Sequence, residues 1–213
     1  MEERTVKIYS ENNPNIALKI IPGHFATNHS HINFYVDLLT SKTRMNEAMA
    51  IAKELKQNYV GGSVVDTIIC MDGCEVIGAY LAEELSNAGV MNYNQHKTIY
   101  VVSPEYNSNN QIIFRDNMVN EVRGKHCLLL LASATTGKTI YRSLECVKYY
   151  GGMVEGIAAI FSKAKEVEGI SVSSVFSDKE LPGYTSFKPE ECPFCKQGIK
   201  VDAMVNSFGY SKL

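Results

Sequence analysis

Apolar and polar positions along the chain change period several times, and each change marks an element. Residues 33–40, Asn-Phe-Tyr-Val-Asp-Leu-Leu-Thr, carry the aromatic and branched residues of a strand. From Thr43 the period becomes helical, with Met45, Ala48, Met49, Ala52 and Leu55 three or four residues apart, until Gly61-Gly62 stops it. Val64 to Cys70 is a β-branched apolar run that predicts a buried strand. Glu75 to Ala88 follows as a helix closed by Gly89, and Thr98 to Ser103 as another strand. His126 to Leu131 predicts a further strand, then a helix from about Lys138 to Tyr150 and a Gly151-Gly152 stop. Met153 to Phe161 and Ser171 to Phe176 complete the series.

Strands alternating with helices of this length predict an α/β fold, a central and mostly parallel sheet with helices on both faces. A chain of 213 residues is long enough for one such domain with a full core. The expected organisation is an N-terminal segment over 1–42, a core over 43–178 and a C-terminal tail over 179–213. Pro104 to Gln111 is polar and rich in turn residues, so it reads as a protruding loop.

Composition narrows the classes of function. The net charge of −2 gives no global field to hold nucleic acid or an anionic membrane, which leaves only a local anion site. The longest strongly apolar run, Cys127 to Ala132, is far too short to cross a bilayer, and Met1 to Thr5 lacks a signal-peptide pattern, so a cytoplasmic protein is expected. Of the six cysteines, Cys70, Cys127 and Cys146 lie in apolar contexts and read as small buried hydrophobes. Cys192-Pro-Phe-Cys195 has the spacing of half a zinc site, but no second Cys-x-x-Cys completes it, so no metal is assigned. His29 and His31 would share one face of an extended segment, with His24 nearby.

The strongest chemical signal is Leu128-Leu-Leu-Leu-Ala-Ser-Ala-Thr-Thr-Gly-Lys-Thr139. A buried strand runs through small and hydroxyl residues into a helix, which aims backbone N–H groups at one point and suits a phosphate. Thr135, Thr136, Gly137, Lys138 and Thr139 are the candidate phosphate ligands. Ala132-x-x-x-x-Gly137-Lys138-Thr139 also approximates the P-loop of nucleotide hydrolases. That reading ranks lower, because neither later strand, ending Ile-Phe161 or Val-Phe176, ends in a magnesium-binding acid.

A better match spans Gly124-Lys125, Cys127 to Leu130, Leu131-Ala132, Ser133-Ala134 and Thr135-Thr136-Gly137, which resembles the type I phosphoribosyltransferase family, and within it the orotate phosphoribosyltransferases. Val65 to Cys74 looks like that family's pyrophosphate strand and loop, with Met71, Asp72, Gly73 and Cys74 as its candidate ligands. Gly23-His-Phe25 with Phe34 to Asp37 resembles the orotate branch's N-terminal substrate segment, which implies a base pocket near His24, Phe25, His31 and Asn33. Gln111 to Asp116 looks like the return of a flexible catalytic loop, with Arg115 as its candidate catalytic cation, and Cys192 to Gly198 is similar to a tail segment of some members. The resemblance implies a phosphoribosyltransferase fold with a small hood built from both chain ends, and a homodimer. The implied ligands are phosphoribosyl pyrophosphate (PRPP) or a nucleoside monophosphate, a small pyrimidine-type base and Mg2+.

The sequence also departs from the family. Leu131 and Ala132 stand where the family has two acids that contact the ribose. Neither side chain accepts a hydrogen bond or supplies negative potential, a loss of about two to three orders of magnitude in rate. Between Thr98 and Gly124 there is no lysine, only Arg115 and Arg123, and Asn28-His-Ser-His-Ile32 replaces the branch's substrate signature. Lys138 adds charge where the family has a small residue, so a weaker magnesium requirement is expected. The functional expectation is phosphoribosyl transfer between PRPP and a base. The alternatives are a non-catalytic phosphoribosyl-ligand sensor of the same fold and a P-loop hydrolase.

Overall fold

The computed structural model describes residues 2–109, 111–135 and 137–213, with Lys138 described by its backbone alone. The chain opens with β1 (Val6–Tyr9), β2 (Ala17–Ala26) and β3 (His31–Asp37), paired antiparallel in sequence. The strand expected over 33–40 starts earlier and stops at Asp37. There the Asp37 carboxylate accepts the Leu39 N–H at 3.0 Å and turns the chain into α1 (Leu39–Thr43). Extended Arg44 separates α1 from α2 (Met45–Lys56), whose Ala48, Ile51, Ala52 and Leu55 are buried. The amphipathic period of the sequence is this face.

Two βαβ units follow. The first is β4 (Thr67–Cys70), α3 (Glu75–Asn87) and β5 (Tyr100–Val102). The loop beyond it is an antiparallel hairpin of β6 (Glu105–Tyr106) and β7 (Ile112–Ile113). The second unit is β8 (His126–Ala134), α4 (Lys138–Tyr149) and β9 (Met153–Ser162). The short β10 (Glu166–Val167) and β11 (Ile170–Phe176) complete a six-stranded core sheet in the order β10-β11-β9-β8-β4-β5. Every pairing from β11 to β5 is parallel, and only edge strand β10 runs antiparallel.

Side chains alternate across this sheet into two cores, as period-2 strands covered on both faces require. Ile68, Cys70, Leu128 and Leu130 join Ile51, Leu55, Ile77 and Leu81 of α2 and α3. Ile69, Leu129 and Leu131 join Ile140, Leu144 and Val147 of α4. At the N-terminal ends of the strands, buried Asp66 accepts the N–H groups of Tyr93 and His126, which fixes β4 against its neighbours.

The remaining strands come from the tail: β12 (Ser186–Phe187), β13 (Ala203–Asn206) and β14 (Gly209–Lys212), with the one-turn helix α5 (Pro193–Lys196) before β13. They join the first three strands in a second sheet, β12-β3-β2-β13-β14, with β1 also on β2. Because β13 lies parallel to β2 through Ala203↔Phe25 and Met204↔Ala26, both chain ends build one hood. The architecture is the α/β fold with a hood that the sequence implied.

Candidate functional site

Strand order reverses between β4 and β8. From β4 the chain moves outward to β5, whereas β8, β9 and β11 proceed to the other side. In open α/β sheets such a reversal opens a crevice at the carboxyl ends of the strands, where ligands bind. Both sequence-predicted loops leave from that point. Cys70 pairs with Leu130, and the Met71 N–H donates to Leu130 O at 2.8 Å, so the loop after β4 starts beside β8.

Each loop makes a sharp turn with left-handed backbone. After β4, Asp72 (φ +58°) and Gly73 (φ +78°) turn the chain into α3. After β8, Gly137 (φ +71°) opens α4, and its carbonyl accepts the Tyr141 N–H at 2.8 Å. Thr135 and Gly137 line an open cleft of about 580 Å3, while Thr139 is exposed on the first turn of α4. Thr136 and the Lys138 side chain, two of the candidate phosphate ligands, lie outside the described residues.

The same cleft is lined by Tyr141, Arg142, Lys163 and Glu166, none of which the sequence singled out. Lys163 is held there by its ammonium donating to Tyr184 O at 2.8 Å. A smaller pocket of about 60 Å3 lies between core and hood, lined by Tyr35, Lys42, Asp72, Ala132, Ser133 and the Asn206–Gly209 turn. Here Lys42 is buried, and its ammonium donates to the carbonyls of Asp72 at 2.6 Å and Ser207 at 2.8 Å. One cation therefore ties α1, the loop after β4 and the β13–β14 turn together. Burial raises the Asp72 carboxyl above its ordinary value, an effect opposed by the nearby Lys42 ammonium and the Ser207 hydroxyl and reinforced by Glu75.

The two residues that replace acids are not equivalent. Leu131 is fully buried and points into the apolar core beneath α4. Ala132 faces the opposite side and lines the smaller pocket beside Ser133 and Asp72.

The loop over 104–115 packs onto α4, where the Cys146 thiol contacts Ile112 O at 3.4 Å and Phe114 meets Tyr150 edge-on at 5.3 Å. Burial, and next the charge of Asp72, push the Tyr106 phenol above its ordinary value. Arg115 sits at the foot of the hairpin. Its guanidinium donates twice to Glu105 Oε2, from Nη2 at 2.7 Å and from Nε at 3.0 Å.

The four base-pocket candidates go elsewhere in the hood. Phe25 is fully buried in the core. Asn33 donates to Gly183 O at 2.7 Å and accepts the Thr185 N–H at 2.7 Å, which anchors the tail. None of the four lines either cleft. His24 and His31 instead meet Cys192 and Cys195, and one ligand atom from each lies within 4.8 Å of all the others. A bulge between Pro22 and Phe25 directs His24 there, since bulges re-aim side chains. Asp202 holds that bulge by accepting the His24 N–H at 2.9 Å, while its own N–H donates to His24 O at 2.7 Å. Burial, and next His24, lower the His31 pKa below its ordinary 6.5, so this ring is neutral at pH 7. The Cys-x-x-Cys pair thus lies against a histidine pair, which a search for a second cysteine pair could not find.

No protein-family model matches the chain. Among curated proteins, it is 25% identical over 189 residues to the orotate phosphoribosyltransferase of Chlorobaculum parvum, covering 86% of this chain and 88% of that one. In structure it is similar to the orotate phosphoribosyltransferase of Mycobacterium tuberculosis, with a TM-score of 0.53 and 17% identity over 77% of this chain and 92% of that one. The Aeropyrum pernix orotate phosphoribosyltransferase gives a TM-score of 0.52 and 18% identity, over 76% and 90% of the two chains.

Proposed function

Because the chain has the type I phosphoribosyltransferase fold and an orotate phosphoribosyltransferase as a sequence relative, we propose that it binds a 5′-phosphoribosyl ligand across the ends of β4 and β8 and transfers that group between pyrophosphate and a pyrimidine-type base. The observation that carries this reading is that the Met71–Cys74 loop and the turn into α4 follow adjacent parallel strands at the switch point. The 5′-phosphate belongs at the turn before α4, with the Thr135 and Thr139 hydroxyls and Arg142 about it. The pyrophosphate belongs at the loop before α3. The base belongs in the smaller pocket under the hood, against Tyr35 and the Asn206–Gly209 turn, rather than at His24 or Asn33.

We assign magnesium to the pyrophosphate loop. Mg2+ is usually held by one or two carboxylates together with substrate phosphates, and Asp72 is the one carboxylate lining the smaller pocket among the described residues. Bound there, the ion would neutralise pyrophosphate charge as the bond to the ribose breaks. Lys42 already places a fixed cation at that loop, so the requirement for the ion is weaker than where two ribose-binding acids accompany it.

Turnover is slow in this reading, because Leu131 and Ala132 leave positive charge developing on the ribose without a facing carboxylate. The burial of Leu131 in an apolar core favours a second reading, a sensor that binds the same ligand without turning it over. The P-loop hydrolase reading has no comparable support, since β9 and β11 end in Ser162 and Phe176. We also propose a homodimer, to which exposed Tyr141 and Tyr149 on α4 would contribute aromatic surface.

Calorimetry with PRPP, nucleoside monophosphates and ATP, each with and without magnesium, tests the binding. A phosphoribosyl ligand should bind and ATP should not; the reverse would reinstate the hydrolase. Radiolabelled PRPP with a panel of pyrimidine bases separates a transferase from a sensor, and light scattering at micromolar concentration reports the dimer.

A further inference from the structure

The geometry points to a structural zinc site of Cys2His2 type that clamps the β2–β3 hairpin of the hood to the C-terminal tail, with His24 Nε2, His31 Nδ1, Cys192 Sγ and Cys195 Sγ as its ligands. Cys192 Sγ lies 3.5 Å and Cys195 Sγ 3.7 Å from His24 Nε2, and Cys195 Sγ lies 3.3 Å from His31 Nδ1. Around a tetrahedral zinc with nitrogen at about 2.0–2.1 Å and sulfur at about 2.3 Å, N···S edges are about 3.5 Å. Three observed edges already have that length. The two ring nitrogens are 2.8 Å apart. They must separate by about half an ångström to reach the N···N edge of the same tetrahedron. Both cysteines are free of disulfides, so each can release its proton and ligate the ion.

The surroundings prepare the ligands. Ile199 O, which can only accept, lies 2.9 Å from His24 Nδ1, so Nδ1 carries the hydrogen and Nε2 presents its lone pair to the cluster. This is the outer contact that metal-bound histidines use to fix tautomer and ring direction. Phe194 stacks on the His24 ring with centroids 5.2 Å apart, and Asp202 fixes the backbone of His24 from the other side. The cysteines are equally constrained. Cys192 caps a tight turn in which Lys196 N–H returns to Cys192 O and Gly198 N–H to Cys195 O.

The donor set selects the metal and its role. Two thiolates and two imidazoles in a tetrahedron suit zinc, and four protein ligands leave no position for water or substrate. The ion therefore supports the fold and takes no part in the chemistry. Its contribution is to join two segments far apart in sequence, adding to the pairings of β12 with β3 and of β13 with β2. This inference does not depend on the phosphoribosyl reading.

The test is metal content and ligand-field spectroscopy on the full chain, purified with a thiol reductant and without chelator. We expect about one zinc per chain, and at least a tenfold lower content in Cys195→Ser. Cobalt exchanged into the wild-type protein should show the visible bands of a tetrahedral ion together with thiolate charge-transfer bands in the near ultraviolet. Should Cys195→Ser fail to fold, the wild-type stoichiometry and cobalt spectrum decide alone. Wild-type protein that holds no zinc after incubation with the ion, or an octahedral cobalt spectrum without thiolate bands, would overturn the site. So would a metal content unchanged by Cys195→Ser.

Discussion

The ammonium of Lys42 donates to the backbone carbonyl of Asp72 at 2.6 Å, which places a buried cation directly behind the loop proposed to hold pyrophosphate. The same ammonium reaches Ser207 O in the hood, so this one side chain couples the core loop to the hood. Lys42→Met keeps most of the buried stem and removes the charge. It leaves two carbonyls without this donor, at about 1–3 kcal/mol each. The expected fall in melting temperature is roughly 5–10 °C for a chain of this size. Pyrophosphate affinity should fall about tenfold or more by calorimetry. Unchanged affinity with lowered stability would reduce Lys42 to a structural tie.

The two lost acids make separable predictions. Ala132→Asp puts a carboxylate at the edge of the smaller pocket beside Ser133, near Lys42, and the fold should tolerate it. Leu131→Glu puts a charge into the apolar core under α4, where an unpaired carboxylate costs several kcal/mol. We expect soluble Ala132→Asp with transfer activity raised about tenfold, against about a hundredfold or more for a complete electrostatic partner. Leu131→Glu should express poorly or unfold below wild type. Thermal melts and a PRPP-dependent transfer assay on the two variants check both, and a well-folded Leu131→Glu would contradict the core assignment.

The β6–β7 hairpin yields a third prediction. Arg115 and Glu105 are exposed and paired, and solvent screening leaves such a pair little effect on stability. If Arg115 only braces the hairpin, Arg115→Ala and Glu105→Ala should lower kcat by similar factors, and the double variant should be no worse than either. A much larger loss for Arg115→Ala would mean that the guanidinium leaves Glu105 for the departing pyrophosphate when the hairpin closes. Steady-state kinetics on the three variants distinguish the two roles.

Which features the sequence disclosed follows from how local they are. The β8–α4 unit was legible because its apolar run, hydroxyls and glycine are contiguous, and the structure only lengthens the strand to Ala134. The β4–α3 turn was legible for the same reason. The hood strand β2 was not. Lys19, Pro22 and Gly23 interrupt its alternation, and its parallel partner β13 lies at the other end of the chain. Lys42 sits in a polar-looking Thr-Ser-Lys-Thr stretch, and its burial depends on the Ser207 turn. The histidine–cysteine cluster shows half of itself in Cys-x-x-Cys. Its other half became visible only when the Pro22–Phe25 bulge turned His24 inward.

Asp72 carries the last prediction, because stability and function pull on it in opposite directions. Its carboxyl has a folded-state pKa above the ordinary 3.8, chiefly from burial. A carboxyl shifted upward favours the folded state only while it is protonated. That contribution is complete below pH 3.8 and is lost as the pH rises through the folded value. At neutral pH the ionised form is therefore the less stable one. Asp72→Asn removes the ionisation while keeping size and polarity, and asparagine accepts the left-handed backbone (φ +58°) at this position. The variant should melt a few degrees higher than wild type at pH 7, and the gap should close as the pH falls toward the ordinary carboxyl value. The same change removes the carboxylate lining the smaller pocket, so magnesium should no longer strengthen pyrophosphate binding. Melting curves across pH, paired with pyrophosphate titrations with and without magnesium, read both effects from one variant. A lower melting temperature at pH 7 would show that attraction to the nearby Lys42 ammonium outweighs burial, and a preserved magnesium response would move the ion away from Asp72.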